Sequence, residues 1–204
     1  MGNTDKFDMI ANSYDTPERV HIAQESAAAI REYLVDSRSK SAIDFGCGTG
    51  LVGLDLLNDF NSILFMDSSQ NMINQMKQKI SDSNIHNADT LCFDLEKEDI
   101  QLDINADYIF MAQVLLHIRD YKTLLSQLYK MLKPGGHLII IDFNKNEEID
   151  SDLVHNGFYL EKLRDTMLDT GYTHIQSKTF FSGKNIFMGR DASLFILDSQ
   201  KQNS

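Results

Sequence analysis

The stretch Ser41 to Gly53, SAIDFGCGTGLVG, constrains the fold more tightly than any other part of the chain. Ala42 to Phe45 is a short apolar run that reads as a buried strand. Leu51 to Leu57 then resumes with helical spacing and predicts a helix ending near Asp59. The glycines Gly46, Gly48 and Gly50 therefore occupy a strand-to-helix turn. Such a turn brings bare backbone up to a ligand, because glycine adopts positive φ without strain and carries no Cβ to hold the ligand away. A helix that follows offers unpaired N–H groups at its start.

Composition narrows what that ligand can be. The 204 residues carry 19 Lys and Arg against 30 Asp and Glu, a net charge of −11, which is a poor electrostatic match for nucleic acid or an anionic membrane surface. Apolar runs are far shorter than the roughly 20 residues that span a bilayer, so no transmembrane helix is expected. The polar start, Met1 to Lys6, resembles neither a secretory signal nor a myristoylation motif, and a cytoplasmic protein is expected. Cys47 and Cys92 lack the spacing of a disulfide framework or a zinc site, and the six histidines are scattered singly, so no metal is expected.

Along the chain, short apolar segments alternate with amphipathic ones. Thr16-Pro17-Glu18 starts a helix with an apolar stripe of Val20, Ala23, Ala27, Ile30 and Leu34, expected to end near Asp36 to Ser39. Ser62 to Asp67 is a second strand, followed by a helix carrying Met72, Ile73, Met76 and Ile80. Thr90 to Asp94 reads as a third strand and the acidic Leu95 to Ala106 as a loop. Asp107 to Ala112 is a fourth strand, and Asp120 caps a helix with Leu124, Leu125, Leu128, Met131 and Leu132, broken by Pro134-Gly135-Gly136. A strand from His137 to Phe143 precedes Asn144 to Phe158, which has the polarity of a lid. Leu160 to Thr170 is a helix with Gly171 as its C-cap. Thr173 to Phe181 and Ser193 to Asp198 lack a helix between them and are expected as antiparallel strands; Gln200 to Ser204 is expected to be disordered. The alternation predicts an α/β fold with a parallel sheet covered on both faces, whose ligand lies beyond the carboxyl ends of the strands.

Asp44-Phe45-Gly46-Cys47-Gly48-Thr49-Gly50 resembles motif I of the class I S-adenosylmethionine (SAM) dependent methyltransferases, and its G-x-G-x-G spacing differs from the G-x-G-x-x-G of dinucleotide folds. The resemblance implies a Rossmann-like, mostly parallel sheet with helices on both faces and an antiparallel C-terminal strand. It implies that Asp44 and the loop backbone from Gly46 through Cys47, Gly48 and Gly50 hold the methionine end of SAM. Asp67, with Ser68 beside it, would take the ribose hydroxyls. Asp94 and Leu95 would meet the adenine. Gln113 to His117, then Leu132-Lys133-Pro134-Gly135-Gly136 and His155-Asn156-Gly157-Phe158, are similar to the small-molecule, ubiquinone-biosynthesis-type branch. Phe7 to Asp15 resembles the family's N-terminal lid, with Tyr14 closing over the cofactor or, alternatively, packing the first helix on the sheet.

The resemblance divides the chain into residues 1–40 as a helical lid, 41–143 as the cofactor-binding core and 144–204 as the acceptor side of a single domain. A sulfonium is already a strong methyl donor, so positioning is the main demand and no dedicated catalytic residue is required. Where the acceptor must lose a proton, His117 and His155 are the candidate bases by placement, with Tyr14 behind them. Met111-Ala112-Gln113-Val114 lacks the N/D-P-P-Y/F of amino-directed nucleic-acid enzymes, neither cysteine follows a proline, and two cysteines are too few for a thiol triad. A small organic acceptor, methylated on O, N or C, is what remains. Two alternatives stay open: a SAM-binding module without turnover, and an NAD(P)-dependent oxidoreductase. The sequence leaves the oligomeric state open.

Overall fold

Thr16 starts the first long helix as its sequence requires. Its Oγ1 accepts the Arg19 N–H at 3.3 Å and Pro17 takes the first helical position. The computed structural model describes residues 3–95 and 103–203, and the chain divides into two units, residues 1–102 and 103–204. In the first unit, α1 (Asn3–Ile10) leads through a 3-10 turn (Ala11–Ser13) into α2 (Pro17–Arg31). Helix α2 buries Ile22, Ala23, Ser26, Ala27, Ala29 and Ile30, a broader face than the expected stripe, with Val20 at its edge. It ends at Arg31, short of Asp36. Tyr33 and Leu34 donate to carbonyls three residues back, tightening the last turn, and Asp36 takes a left-handed φ of 50°. The Arg31 guanidinium bonds the carboxylates of Asp55 and Asp59, each at 2.8 Å.

Strands β1 (Ser41–Phe45), β2 (Ser62–Asp67) and β3 (Ala88–Cys92) form a parallel set with β2 in the middle. Phe45 pairs with Met66 and Asp67 with Cys92, so the loops leaving these strands begin side by side. This register corrects the third strand: Cys92 is its last residue because its partner Asp67 ends β2, and Asp94 lies beyond it. Between β1 and β2 the expected long helix is only α3 (Leu51–Asp55), followed by a 3-10 turn (Leu57–Asp59). Gly53 in its middle is a weak helix former, and Asp55 and Asp59 both turn to Arg31. Between β2 and β3, α4 (Gln70–Asp82) is capped by Ser69 Oγ, which accepts the Met72 N–H at 3.2 Å, and buries Met72, Ile73 and Met76. The acidic loop expected after Leu95 falls largely on residues 96–102, outside the described residues.

In the second unit, β4 (Ala106–Ala112) runs parallel to β5 (Leu132–Phe143), with α5 (Tyr121–Met131) between them. Strand β7 (Arg190–Lys201) lies antiparallel to β5, and β6 (Tyr172–Phe187) antiparallel to β7, as expected for two strands joined without a helix. Helix α6 (Leu160–Thr170) precedes β6 and ends on Gly171 at φ 109°. Strand β5 starts at Leu132, not His137. Leu132 pairs with Ala106 and His137 with Tyr108, so Lys133 to Gly136 form an irregularity within the pairing instead of a gap before it.

The hairpin is also longer than its sequence suggests. Met188 and Gly189, both at positive φ, make a two-residue turn that lets Phe187 pair with Arg190. The expected disorder from Gln200 is overturned: Gln200 pairs with His137 and Thr173, and Lys201 donates from Nζ to the Leu132 carbonyl at 2.7 Å. The polar segment after β5 is a loop tied at its base. Asn144 N–H donates to Ser193, Lys145 N–H to Phe158 and Asn146 N–H to Asn156.

Leu138–Ile141 and Leu194–Leu197 are fully buried, the near-continuous apolar runs of strands covered on both faces. Among them His137 Nδ1 meets Asp198 Oδ1 at 2.9 Å while its ring stacks on Tyr108. Tyr172 is buried at the start of β6 and donates its hydroxyl to the Leu125 carbonyl of α5 at 2.9 Å. Tyr172→Phe removes that bond with little change of shape. A loss of about 1 kcal/mol is expected, a fall of roughly 2–4 °C in Tm for a chain of this size, which calorimetry would measure.

Candidate functional site

The parallel register of β1, β2 and β3 brings the sequence-predicted acids and glycines together at the carboxyl ends of these strands. Gly46 and Cys47 both donate backbone N–H to the Met66 carbonyl, at 2.8 and 3.0 Å, which starts the loop against β2. Gly46, Gly48 and Gly50 all have positive φ, at 68°, 53° and 80°. Two of them, Gly48 and Gly50, nonetheless serve different needs. A Cβ on Gly48 would touch the Tyr14 ring at 3.8 Å, so the loop backbone here lies directly beneath that ring. A Cβ on Gly50 would collide with the Met76 sulfur of α4, so Gly50 serves packing.

Asp67 joins the loop to β2. One carboxylate oxygen accepts the Gly48 N–H and the other the Ser69 N–H, each at 2.8 Å. Its pKa is raised, chiefly by desolvation, against the lowering effect of those two N–H groups. Ser68 is half-buried beside it, and its carbonyl is 3.8 Å from the Cys92 thiol. Phe93 N–H donates to the Asp67 carbonyl at 3.0 Å, which sets Asp94 and Leu95 next after β3, Leu95 buried.

Asp44 lies deeper. It is 3% exposed and accepts the Gly53 N–H at 3.1 Å, and burial pushes its pKa up to about 8. Gly53 is required there, since a Cβ would collide with the Asp44 carboxylate and the Phe65 ring. Burial also pushes the Cys47 thiol up, which leaves it a poor nucleophile.

Tyr14 packs over this loop. The Arg19 guanidinium sits 4.2 Å above its ring and donates to the Tyr14 carbonyl at 2.9 Å, while Phe7 meets the ring edge to face. Its pKa is raised, first by burial.

The remaining candidates belong to the second unit. Gln113 follows β4 with a left-handed φ of 56° and donates its N–H to the Ile141 carbonyl at 2.8 Å. A 3-10 turn (Leu115–His117) follows. Its Leu116 peptide is held from both sides: the N–H donates to buried Asp142 at 3.0 Å and the carbonyl accepts the His155 N–H at 2.8 Å. The His155 ring lies with Nε2 2.9 Å from the Ile118 carbonyl, so that nitrogen is a donor and any proton transfer by His155 must use Nδ1. Asp142 also accepts the Phe143 N–H at 2.8 Å, and burial raises its pKa to about 7.

Sequence reasoning missed Gly53 and Asp142. Gly53 had a local signal, a glycine inside an apolar helical run. Asp142 had none, since an aspartate near a strand end reads as a turn former.

The two buried acids have a pH consequence. A carboxyl whose folded pKa lies above its unfolded value binds more protons in the folded state, so stability falls as pH rises from about 4 to the folded value. Asp44 therefore costs stability up to about pH 8. Asp44→Asn keeps an acceptor for Gly53 and cannot ionise. It should flatten the decline of Tm between pH 5 and 8 and raise Tm at pH 8, read by calorimetry across pH.

A family model described as a methyltransferase domain matches residues 43–138, the span from β1 into β5. The malonyl-[acyl-carrier protein] O-methyltransferase 2 of Ilyobacter polytropus is 30% identical over 177 residues, 80% of this chain and 66% of that protein. The chain thus spans just under two thirds of that relative's length. The demethylmenaquinone methyltransferase of Listeria monocytogenes is 25% identical over 163 residues, 75% of this chain and 67% of that protein. Phosphoethanolamine N-methyltransferase 2 of Haemonchus contortus, solved in complex with SAM, superposes with a TM-score of 0.71 at 17% identity over 88% of this chain and 52% of that one, a likeness of fold. With the glycine turn, the strand-end acids and the Rossmann-like, mostly parallel sheet in place, the chain belongs to the class I S-adenosylmethionine-dependent methyltransferase family, the quinone-biosynthesis-type branch included among its relatives.

Proposed function

We propose that this chain transfers a methyl group from SAM to a small organic acceptor by in-line displacement. The observation that carries the reading is the lashing of Asp67 to the Gly48 N–H, which fixes a carboxylate beside a glycine whose missing Cβ leaves bare backbone beneath the Tyr14 ring. The fit is one of shape and charge: a bare backbone surface at Gly48 suits the methionine end, and Asp67 has lone pairs left for hydroxyl donors. Asp94 and Leu95 would meet the base, with Ser68 beside Asp67.

When bound, SAM supplies a methyl carbon already activated by its sulfonium. The work left to these residues is to orient, exclude water and hold the acceptor in line, and positioning of that kind can supply roughly 7–11 kcal/mol of a barrier. Residues 1–40 serve in this reading as the lid, 41–143 as the cofactor-binding core and 144–204 as the acceptor side. His117 is the candidate base, and His155 serves better as a brace for the turn that carries it. The relatives named for malonyl-[acyl-carrier protein] and demethylmenaquinone support an acceptor methylated on oxygen or another atom of a small group. The reading includes a cytoplasmic setting without nucleic-acid or membrane partners, in keeping with a net charge of −11. No helix among the described residues is long and apolar enough to cross a membrane, and none of their His, Cys, Asp and Glu side chains cluster to hold a metal.

Thermal scans test the ligand. SAM and S-adenosylhomocysteine should raise Tm while NAD and NADP leave it unchanged, since only a ligand that binds the folded state stabilises it. Stabilisation by NAD alone would sink the reading. Release of S-adenosylhomocysteine in a scan of small acceptors would separate an enzyme from a binding module.

Asp67→Asn tests the site. The amide keeps one acceptor oxygen but turns its NH2 toward Gly48 or Ser69, so both the loop and the ligand lose a charge-assisted partner. A loss of about tenfold or more in S-adenosylhomocysteine affinity is expected by calorimetry, roughly 1.4 kcal/mol per decade, together with a lower Tm. Affinity within about twofold of wild type would place the ribose elsewhere.

A further inference from the structure

Two aromatic–acid pairs, Phe7-Asp8 and Tyr14-Asp15, stand in the N-terminal segment, and the structure gives each acid a partner on the cofactor side of the first unit. Asp8, near the end of α1, accepts the hydroxyl of fully buried Ser69 and the N–H of Asn71 at 3.2 Å. The Asn71 side chain returns a bond to the Asp8 carbonyl at 3.0 Å. Asp15 accepts the hydroxyl of Thr49, a loop residue only 2% exposed, and pairs with Lys79 at 2.8 Å. Lys79 closes the circuit by donating to the Thr49 carbonyl at 2.7 Å. Between these two anchor points the Phe7 and Tyr14 rings meet edge to face, and Tyr14 rests against Gly48.

We infer that Asp8 and Asp15 are positioning residues of the cofactor loop, two latches that pin the N-terminal strap so that Tyr14 lies on Gly48. The inference rests on the proposed role of that loop in holding SAM and adds what controls access to it. The latches differ in kind. Asp8 is held at the α4 N-terminus, beside the end of β2 that carries Asp67. Asp15 is held on the glycine loop itself, through Thr49 between Gly48 and Gly50. The Asp15–Lys79 pair is about one third exposed on both sides and contributes little alone. The bond to the buried Thr49 hydroxyl is the stronger part of that latch, because its donor has no access to water. A ligand that reaches the Gly48 backbone passes beneath Tyr14, which swings aside only when at least one latch opens and closes again over the bound ligand. Strap opening therefore gates both arrival and departure.

The bland account gives the same carboxylates a purely capping role, Asp8 for α4 and Asp15 for the loop. The two accounts differ in kinetics. Surface plasmon resonance of S-adenosylhomocysteine on the immobilised full chain reads both rates for wild type, Asp8→Ala, Asp15→Ala and Asp15→Asn. Gating predicts that each alanine variant raises the association and dissociation rates together, about threefold or more, with the dissociation constant changed by less than about twofold. Asp15→Asn keeps an acceptor for Thr49 and should fall between Asp15→Ala and wild type; it also serves if the alanine variant does not fold. Faster dissociation without faster association, or rates equal to wild type, overturns the latches while leaving the cofactor reading intact. Absence of S-adenosylhomocysteine binding by the wild type overturns the cofactor reading and the latches with it.

Discussion

A single carboxylate holds the candidate site together. Asp67 ends β2, and its two oxygens accept N–H groups from the β1 loop and from the start of the chain's climb into α4. Its backbone carbonyl accepts the Phe93 N–H as the chain leaves β3. One residue thus fixes three strand ends relative to one another. Burial opposes a charge at this position, and the N–H donors offset that penalty. A carboxylate so placed is part of the scaffold before it is part of any ligand contact, so structural and binding roles cannot be separated by deleting it alone. Rates, affinity and stability have to be read together.

Much of this was legible in the sequence because parallel sheets write their cores as short apolar runs and their ligand sites as the residues that follow. The glycine turn, the acid closing β2 and the Thr16–Pro17 helix start all come from local chemistry, and the structure places them as local chemistry requires. The third strand was misplaced by two residues because its end is set by pairing with Asp67, a contact made across the sheet and absent from the local pattern. The hairpin of β6 and β7 was cut short for a related reason. Met188-Gly189 is not a usual hairpin turn, and the strand residues flanking it are largely exposed and polar on β6, which blurs the alternation. Gln200 and Lys201 read as a polar tail, yet their backbone completes the ladder against β5 and β6.

Within the candidate site, the residue types were easier to find than their tasks. Three glycines at regular spacing suggest one purpose, but Gly48 bares backbone beneath the Tyr14 ring, Gly50 makes room for Met76, and the unflagged Gly53 makes room for Asp44. Asp8 and Asp15 carry no local motif beyond an aromatic neighbour. Their partners Ser69, Thr49 and Lys79 lie 34 to 64 residues away in the chain, beyond the reach of any spacing rule.

The buried acids Asp44 and Asp142 show how burial and backbone donors oppose one another in such a fold. Removal from water raises both, Asp44 to about 8 and Asp142 to about 7. Backbone donors pull the other way in each. Asp44 has one N–H, from Gly53, and feels the like charge of Asp67, whereas Asp142 is stabilised by N–H groups of Leu115, Leu116 and Phe143. Burial favours the protonated form of Asp44, which leaves the backbone N–H dipoles of the loop above it less opposed by negative charge. A cation brought near Asp44 would favour its ionised form and be favoured by it in turn, since the two equilibria are linked. Asp142, buried and bonded to the Leu116 N–H, holds the turn that carries His117. Asp44 and Asp142 thus sit where removal from water favours the neutral acid and backbone N–H groups favour the carboxylate.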